Sequence, residues 1–267
     1  MATGARLKNK VAVVTGAGEA FGRAIAVGYA REGASLFLHE FPDCEPQLRK
    51  TEASVKETGQ RVVTGLHDIT TAGPVEAMTR QIVREFGHVD ILVNTTAGGW
   101  HGLFFDAKEE DWDRAIDRGL KAYFLTCQHI GKLMAQRGEG RIINLSSIVA
   151  DLGSAGAIPW GAARGGVNAM SFAIAQCLGE YGINVTVLTR GASDHTDYTP
   201  EARATRLMRL PRGRLGGAED VVGPAIFLAT SDSDWVTGSV LYADGGYVRA
   251  AATDAEHRAK KVPYPKI

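Results

Sequence analysis

A doubly wound α/β fold, with seven parallel strands and helices on both faces of the sheet, is predicted by three observations. Seven short apolar runs recur along the 267 residues, continuous in apolar character rather than alternating. Helical stretches lie between them, so strand and helix alternate over the whole length. Many of the runs end in glycine or a small polar residue, where a buried strand gives way to a loop.

Taken in order, Val11 to Val14 is the first run and leads into Thr15-Gly16-Ala17-Gly18. A helix follows over Gly22 to Glu32, with Ile25, Tyr29 and Ala30 on its inner face. Leu36-Phe37-Leu38 and Val62-Val63 are the next two strands, and Asp68 follows the latter. Val75 to Phe86 carries Met78, Ile82 and Phe86 at four-residue spacing, one face of a helix. Ile91-Leu92-Val93 precedes Asn94, and a long helix is expected over residues 112–135. Ile142-Ile143-Asn144-Leu145 runs into Ser146-Ser147. A second long helix is expected over residues 160–180, with Gly165, Gly166, Ala169, Ala173 and Ala175 on many sides. Such small residues admit another element closely, either a partner subunit or the helix's own sheet. Val185 to Leu188 precedes Arg190-Gly191, and Val240-Leu241-Tyr242 precedes Asp244-Gly245-Gly246. No linker interrupts this pattern, so residues 1–249 read as one domain. Residues 250–267 are polar, contain Pro263 and Pro265, and read as a C-terminal surface arm or subunit contact.

Composition narrows the function classes. Thirty basic and thirty acidic side chains cancel, which argues against a nucleic-acid binder. Hydrophobic residues make up 45% of the chain, enough for a sizeable core. Cys44, Cys127 and Cys177 form no ligand motif, and their isolated placement suits a reducing, cytoplasmic compartment. The N-terminus lacks an apolar signal-peptide region, and no segment has the length and apolarity of a membrane span. No metal site is expected.

The turn after the first strand, Thr15-Gly16-Ala17-Gly18-Glu19-Ala20-Phe21-Gly22, opens a helix. Gly16 suits a tight turn, Gly22 suits close helix–strand packing, and backbone N–H groups at the helix start can hold a pyrophosphate. An ordinary strand-to-helix turn would use the same glycines. The second strand ends at His39-Glu40, and an acid there accepts both ribose hydroxyls and repels a 2′-phosphate. Glu40 therefore favours NAD over NADP, while His39, neutral near pH 7, is a poor phosphate clamp. Asp68 either accepts from an adenine amine or caps the following helix.

These residues, together with Asp90-Ile91-Leu92-Val93-Asn94, Asn144-Leu145-Ser146-Ser147, Arg214-Leu215-Gly216, Glu219-Asp220-Val221, Val236-Thr237-Gly238 and Asp244-Gly245-Gly246, resemble the short-chain dehydrogenase/reductase family from Leu7 to Tyr247. The resemblance implies a Rossmann-type fold, a homotetramer or homodimer formed through helices 112–135 and 160–180, and hydride transfer between a nicotinamide and an alcohol or carbonyl carbon. It places the cofactor groove over Thr15, Gly16, Gly18, Phe21, Gly22, Glu40, Asp68, Ile69, Asn94, Arg190 and Gly191.

Departures from the family pattern fall in the reacting site. Ala20 stands for the third glycine, and Asn94-Thr95-Thr96-Ala97 (or a shifted version ending at Gly98) stands for Asn-Asn-Ala-Gly. Gly119 replaces the helix asparagine, Trp160 the tyrosine, Arg164 the lysine, and Arg190-Gly191 the Pro-Gly, while Ser147 survives. Indole does not titrate usefully, and guanidinium stays protonated. Ser147, Trp160 and Arg164 thus suit binding or electrostatics rather than a proton relay. Spacing of four residues puts Trp160 and Arg164 on one helix face; alternatively Trp160 fills space and Arg164 makes an ion pair. Candidate substitute proton donors are His101, after Gly98-Gly99-Trp100, and His195, in a loop with Asp194, Asp197 and Tyr198. His67 and His129 read as structural or surface residues. An arginine at the lysine position is similar to the halohydrin dehalogenases, which lack a nicotinamide, but they keep the tyrosine.

Three functions follow. The first is an atypical NAD-linked oxidoreductase. Trp100, Phe104, Phe105, Trp160 and Tyr198 suggest that its small-molecule substrate is a cyclic or aromatic alcohol or carbonyl, with Arg164 or Arg190 facing an anionic group. The second is a non-redox lyase, dehydratase or isomerase using Arg164 and a loop histidine. The third is a catalytically inactive binding subunit.

Overall fold

In the computed structural model, which describes residues 5–250 except Asp197, seven strands form one parallel sheet in the order β3-β2-β1-β4-β5-β6-β7. The strands are β1 (Val11–Thr15), β2 (Ser35–Glu40), β3 (Val62–Leu66), β4 (Ile91–Asn94), β5 (Gly140–Ser147), β6 (Ile183–Arg190) and β7 (Ser239–Ala243). All seven apolar runs are strands of this sheet, which is the Rossmann-type α/β arrangement. The order reverses direction beside β1, between β2 and β4, and a crevice opens there at the C-terminal strand ends.

Successive strand residues serve opposite faces. Ala12 and Val14, Leu36 and Leu38, and Ile143 and Leu145 join a core with Ile25 and Tyr29 of α1 (Ala20–Arg31), Leu48 and Val55 of α2 (Glu45–Lys56) and Ala225 of α9 (Val222–Ala229). Val13, Phe37, Leu92 and Ile142 join another core with Met78 and Ile82 of α3 (Ala72–Phe86), Ile130 and Met134 of α5 (Ala122–Arg137) and Ala175 of α7 (Ile158–Leu178). Burial on both faces is why the runs are apolar throughout. The Tyr29 hydroxyl donates to the Ala225 carbonyl at 2.8 Å, tying α1 to α9.

The helix expected over residues 112–135 is broken. It consists of α4 (Glu109–Ile116), a π-turn over Asp117–Lys121 containing Gly119, and then α5. The π-turn leaves the Arg118 carbonyl to accept from the Thr96 hydroxyl at 2.7 Å, so the turn is tied to the loop after β4. The helix expected over residues 160–180 is α7, lengthened by a 3-10 turn over Gly179–Tyr181. Three helices were not anticipated: α2, α8 (Pro200–Met208) and α9. A short α6 (Val149–Leu152) follows β5. The C-terminal arm expected over residues 250–267 lies outside the described residues apart from Ala250. Among the described residues, no helix is long and apolar enough to cross a membrane.

Candidate functional site

Three strand ends, β1, β4 and β5, are pinned together from inside. Thr15 and Thr126 hydroxyls both donate to Asn94 Oδ1, at 3.1 and 2.9 Å. Asn94 Nδ2 donates to Asn144 Oδ1 at 2.9 Å, and Asn144 Nδ2 donates to the Ser171 hydroxyl at 2.9 Å. Thr15, Asn94 and Asn144 are fully buried, so this polar ladder holds the floor of the crevice and does not line it.

Above that floor lies the glycine turn. Gly16 has φ +69°, and a Cβ there would sit 2.8 Å from the Thr96 backbone nitrogen. A Cβ on Gly22 would lie 2.2 Å from the Gly16 carbonyl oxygen. Only glycine fits either position. Glu19 precedes α1 without capping it through its side chain, which leaves the first-turn N–H groups for another acceptor. Gly18 N–H donates to Glu40 Oε2 at 2.9 Å, and Phe41 N–H donates to Oε1 at 3.0 Å. Burial pushes the Glu40 carboxyl up to about 7, against the two N–H bonds that favour its charge. His39 beside it is driven down to about 4 by burial, with Nε2 against the His67 carbonyl at 2.9 Å. Asp68 accepts from the Thr70 hydroxyl at 2.7 Å and from its N–H at 3.2 Å, a turn just before α3 that holds its carboxyl below the usual range. Ile69 is in the core.

At the other end of the crevice, the structure brings Trp160 and Arg164 together. The guanidinium carbon of Arg164 lies 4.1 Å from the Trp160 ring centroid. Both side chains are buried, Arg164 at 2% exposure and Trp160 at 8%. Arg164 Nη1 donates to the Tyr123 hydroxyl at 2.7 Å and to the Leu145 carbonyl at 2.8 Å, and Nη2 donates to the Thr96 carbonyl at 2.8 Å. The arginine is thus committed to the protein and makes no ion pair among the described residues; the alternative in which it pairs with an acid is not what forms. Burial raises the Tyr123 hydroxyl above its ordinary range, which keeps it neutral beside that cation. Ser147 is also buried and pairs in register with Arg190.

Arg190 reaches back across the crevice. Its guanidinium carbon lies 5.0 Å from the centroid of Phe21, and the far neighbour of Phe21 is the His195 ring, stacked at 5.6 Å. His195 Nδ1 is 2.7 Å from Asp194 Oδ1. Burial, and then the charge of Arg164, push the Arg190 guanidinium down to about 10. Gly191 passes so close to β7's end that a Cβ would be 2.7 Å from Asp244 Cα.

Between these two ends lies a cavity of about 330 Å³, lined among others by Glu19, His101, Arg114, Arg118, Trp160 and Arg190. A larger groove of about 1000 Å³ lies at the opposite, N-terminal strand ends, lined by Lys10, Asp90, Arg141 and Trp235, and holds none of the candidate residues. The smaller cavity is the one at the switch in strand order, where ligands of such sheets bind. His195 is across Phe21 from Arg190, whereas His101 faces the cavity itself. Of the five aromatic residues expected around a substrate, Trp160 lines the cavity; Phe104 and Phe105 are 60% and 95% exposed. Sequence reasoning missed Tyr123, Thr96, Arg114 and Arg118. The nearest signal for Arg118 was its place next to Gly119, at the departure in the helix. Among the described residues no three His, Cys, Asp or Glu side chains group as a metal site.

A family model described as enoyl-(acyl carrier protein) reductase matches residues 16–248. The chain is 36% identical over 244 residues to the (2S)-[(R)-hydroxy(phenyl)methyl]succinyl-CoA dehydrogenase subunit BbsD of Thauera aromatica, covering 90% of this chain and 97% of that one. It is 32% identical over 248 residues to the 3-oxoacyl-[acyl-carrier-protein] reductase FabG of Thermotoga maritima, covering 91% and 99%. A gluconate 5-dehydrogenase from Burkholderia cenocepacia, solved with NADP and tartrate, superposes with a TM-score of 0.87 at 26% identity, covering 93% and 99%.

Proposed function

Because this chain belongs to the short-chain dehydrogenase/reductase family, whose homology supports oxidoreductase activity in general and whose members typically bind NAD or NADP, we propose that it serves such an oxidoreductase as a ligand-binding subunit that moves no proton itself. One observation carries this reading. At the position where the family keeps a lysine beside a tyrosine, Arg164 is buried, bonded through both terminal nitrogens to protein oxygens, and stacked on Trp160. A proton donor at a reacting alkoxide must titrate and must reach it. Neither of these side chains does. The same three hydrogen bonds leave Arg164 no terminal nitrogen free for holding an anionic substrate, the role a lyase would need from it.

The glycine turn fits the phosphates of a dinucleotide. Gly16 and Gly22 form a cradle that any Cβ would fill, and the first turn of α1 is uncapped. Backbone groups from Gly16 to Gly22 would hold the phosphates, Glu40 a ribose without a 2′-phosphate, and Asp68 with Ile69 the adenine. The group, when bound, supplies hydride acceptance or donation. This chain's residues bind and orient it, and Trp160 covers the reacting end from water. The relative from Thauera aromatica is named as one subunit of a dehydrogenase, which agrees with a partner chain that carries the proton relay. We place subunit contacts on α4, α5 and α7, where Trp112, Phe124 and Phe172 are solvent-exposed. The free cysteines agree with a cytoplasmic protein of one domain over residues 1–249. The test is a spectrophotometric assay of NAD reduction with aromatic and cyclic alcohols. It uses the chain alone, then the assembly isolated from its source and identified by mass spectrometry. Silence alone and turnover in the assembly is the expected result; turnover by the lone chain refutes it.

His101 favours a second reading, an NAD-linked dehydrogenase of small cyclic or aromatic alcohols with a rebuilt proton path. It lines the same cavity as Trp160 and titrates in the working range. That reading requires turnover by the lone chain, lost in His101→Asn.

A further inference from the structure

Four arginines surround the strand-end cavity, and they are not alike. Arg118 and Arg114, at the rim, have carboxylates of their own: Asp43 at 3.0 Å and Asp111 at 3.3 Å. Arg164 and Arg190, at the inner wall, have none among the described residues. Arg164 has committed both terminal nitrogens. Arg190 has not: it carries five N–H donors and makes one long hydrogen bond, from Nη1 to the Gly191 carbonyl at 3.3 Å. It lines the cavity, and its flat face is already fixed by the Phe21 ring. A desolvated guanidinium without a counter-charge, next to a second one, is an expensive arrangement that an anion would relieve.

We propose that this cavity binds a small molecule through an oxyanion, a carboxylate or a phosphate, seated on the edge of the Arg190 guanidinium with Arg118 at its rim. Forked N–H donors match both oxyanions, which is why arginine rather than lysine suits such a seat. A volume of about 330 Å³ takes a small organic anion, not a whole dinucleotide. Glu19 lines the same wall and pairs with no arginine, so it sets a limit on how much negative charge the ligand can bring. The inference rests on the ligand-binding reading above and names the class of ligand.

The test is calorimetric titration of the full chain with succinate, with inorganic phosphate, and with each again in the presence of saturating NAD. Binding of one probe is expected, weakened at least about tenfold in Arg190→Gln and less in Arg190→Lys. Glu19→Gln should tighten it, which keeps the test available where Arg190→Gln does not fold. Preference for succinate assigns a carboxylate ligand, and preference for phosphate a phosphate-bearing one. No binding of either probe up to about 50 mM, or equal binding by Arg190→Gln, overturns the proposal. Loss of both probes when NAD is present gives the anion seat to the dinucleotide and overturns it too. The assay of the lone chain for turnover is separate, so failure of the binding-subunit reading and failure of this inference show in different experiments.

Discussion

Arg164→Met separates a structural arginine from one waiting for a ligand. Methionine keeps much of the length and apolar stem but removes every donor. Two carbonyls, Leu145 and Thr96, then compete for the one proton of the Tyr123 hydroxyl, which lies 3.1 and 3.2 Å from them. One carbonyl is left without that donor, at about 1–3 kcal/mol for a buried group. The stacking on Trp160 is lost as well, about 2 kcal/mol where the cation is desolvated. Relief of the buried charge returns part of this. The net expectation is a loss of about 2–4 kcal/mol. With a urea slope near 3 kcal/mol per M, the unfolding midpoint falls by about 1 M, read at fixed protein concentration because subunit association adds to stability. Arg164→Lys should fall between, since one ammonium cannot span acceptors on three elements. A ligand-binding arginine behaves otherwise: its removal leaves stability unchanged or improved. A midpoint within about 0.3 M of the original protein would refute the structural role and return Arg164 to the list of groups that hold substrate.

Adjacent residues on β2 should give opposite pH dependences. His39, lowered from 6.5 to about 4, contributes stability that is present above its unfolded value and lost as pH falls through about 4. Glu40, raised from 4.5 to about 7, contributes stability that is present below its unfolded value and lost as pH rises through about 7. Each amounts to at most about 3 kcal/mol, and between these limits they oppose one another. Urea midpoints taken from pH 4.5 to 7.5 should therefore be flat in the original chain, fall with rising pH in His39→Gln, and fall with acid in Glu40→Gln; flat profiles in both variants would contradict the burial argument. Gly22→Ala meets a backbone oxygen that cannot rotate away and should cost about 3 kcal/mol or prevent folding, whereas Gly73→Ala, with nothing within 4 Å, should be neutral or stabilising by up to about 1 kcal/mol in thermal melts. Equal melting points for the two variants would mean that the turn is not as tight as drawn.

Local pattern was enough for the sheet. The apolar runs name the strands because each is buried on both faces, and that burial is recorded residue by residue. The glycine turn was legible for the same reason: Gly16 and Gly22 answer to contacts within one strand-turn-helix unit and the loop beside it. Glu40 could be placed at the end of β2 by counting. Polar α2 and short α9 escaped because neither has a long apolar period. What Arg164 does could not be read from the chain. Its acceptors stand 19, 41 and 68 residues away, on β5, on α5 and after β4, and only the packed sheet brings them within reach. Asn94 is similar: its spacing fits a cofactor contact, yet its amide is sealed between β1 and β5. Residue type limited what Trp160, Arg164 and Arg190 can do chemically. Long-range packing decided that one arginine is held by carbonyls and the other is left facing a cavity, because hydrogen-bond partners are set by proximity in space and not along the chain.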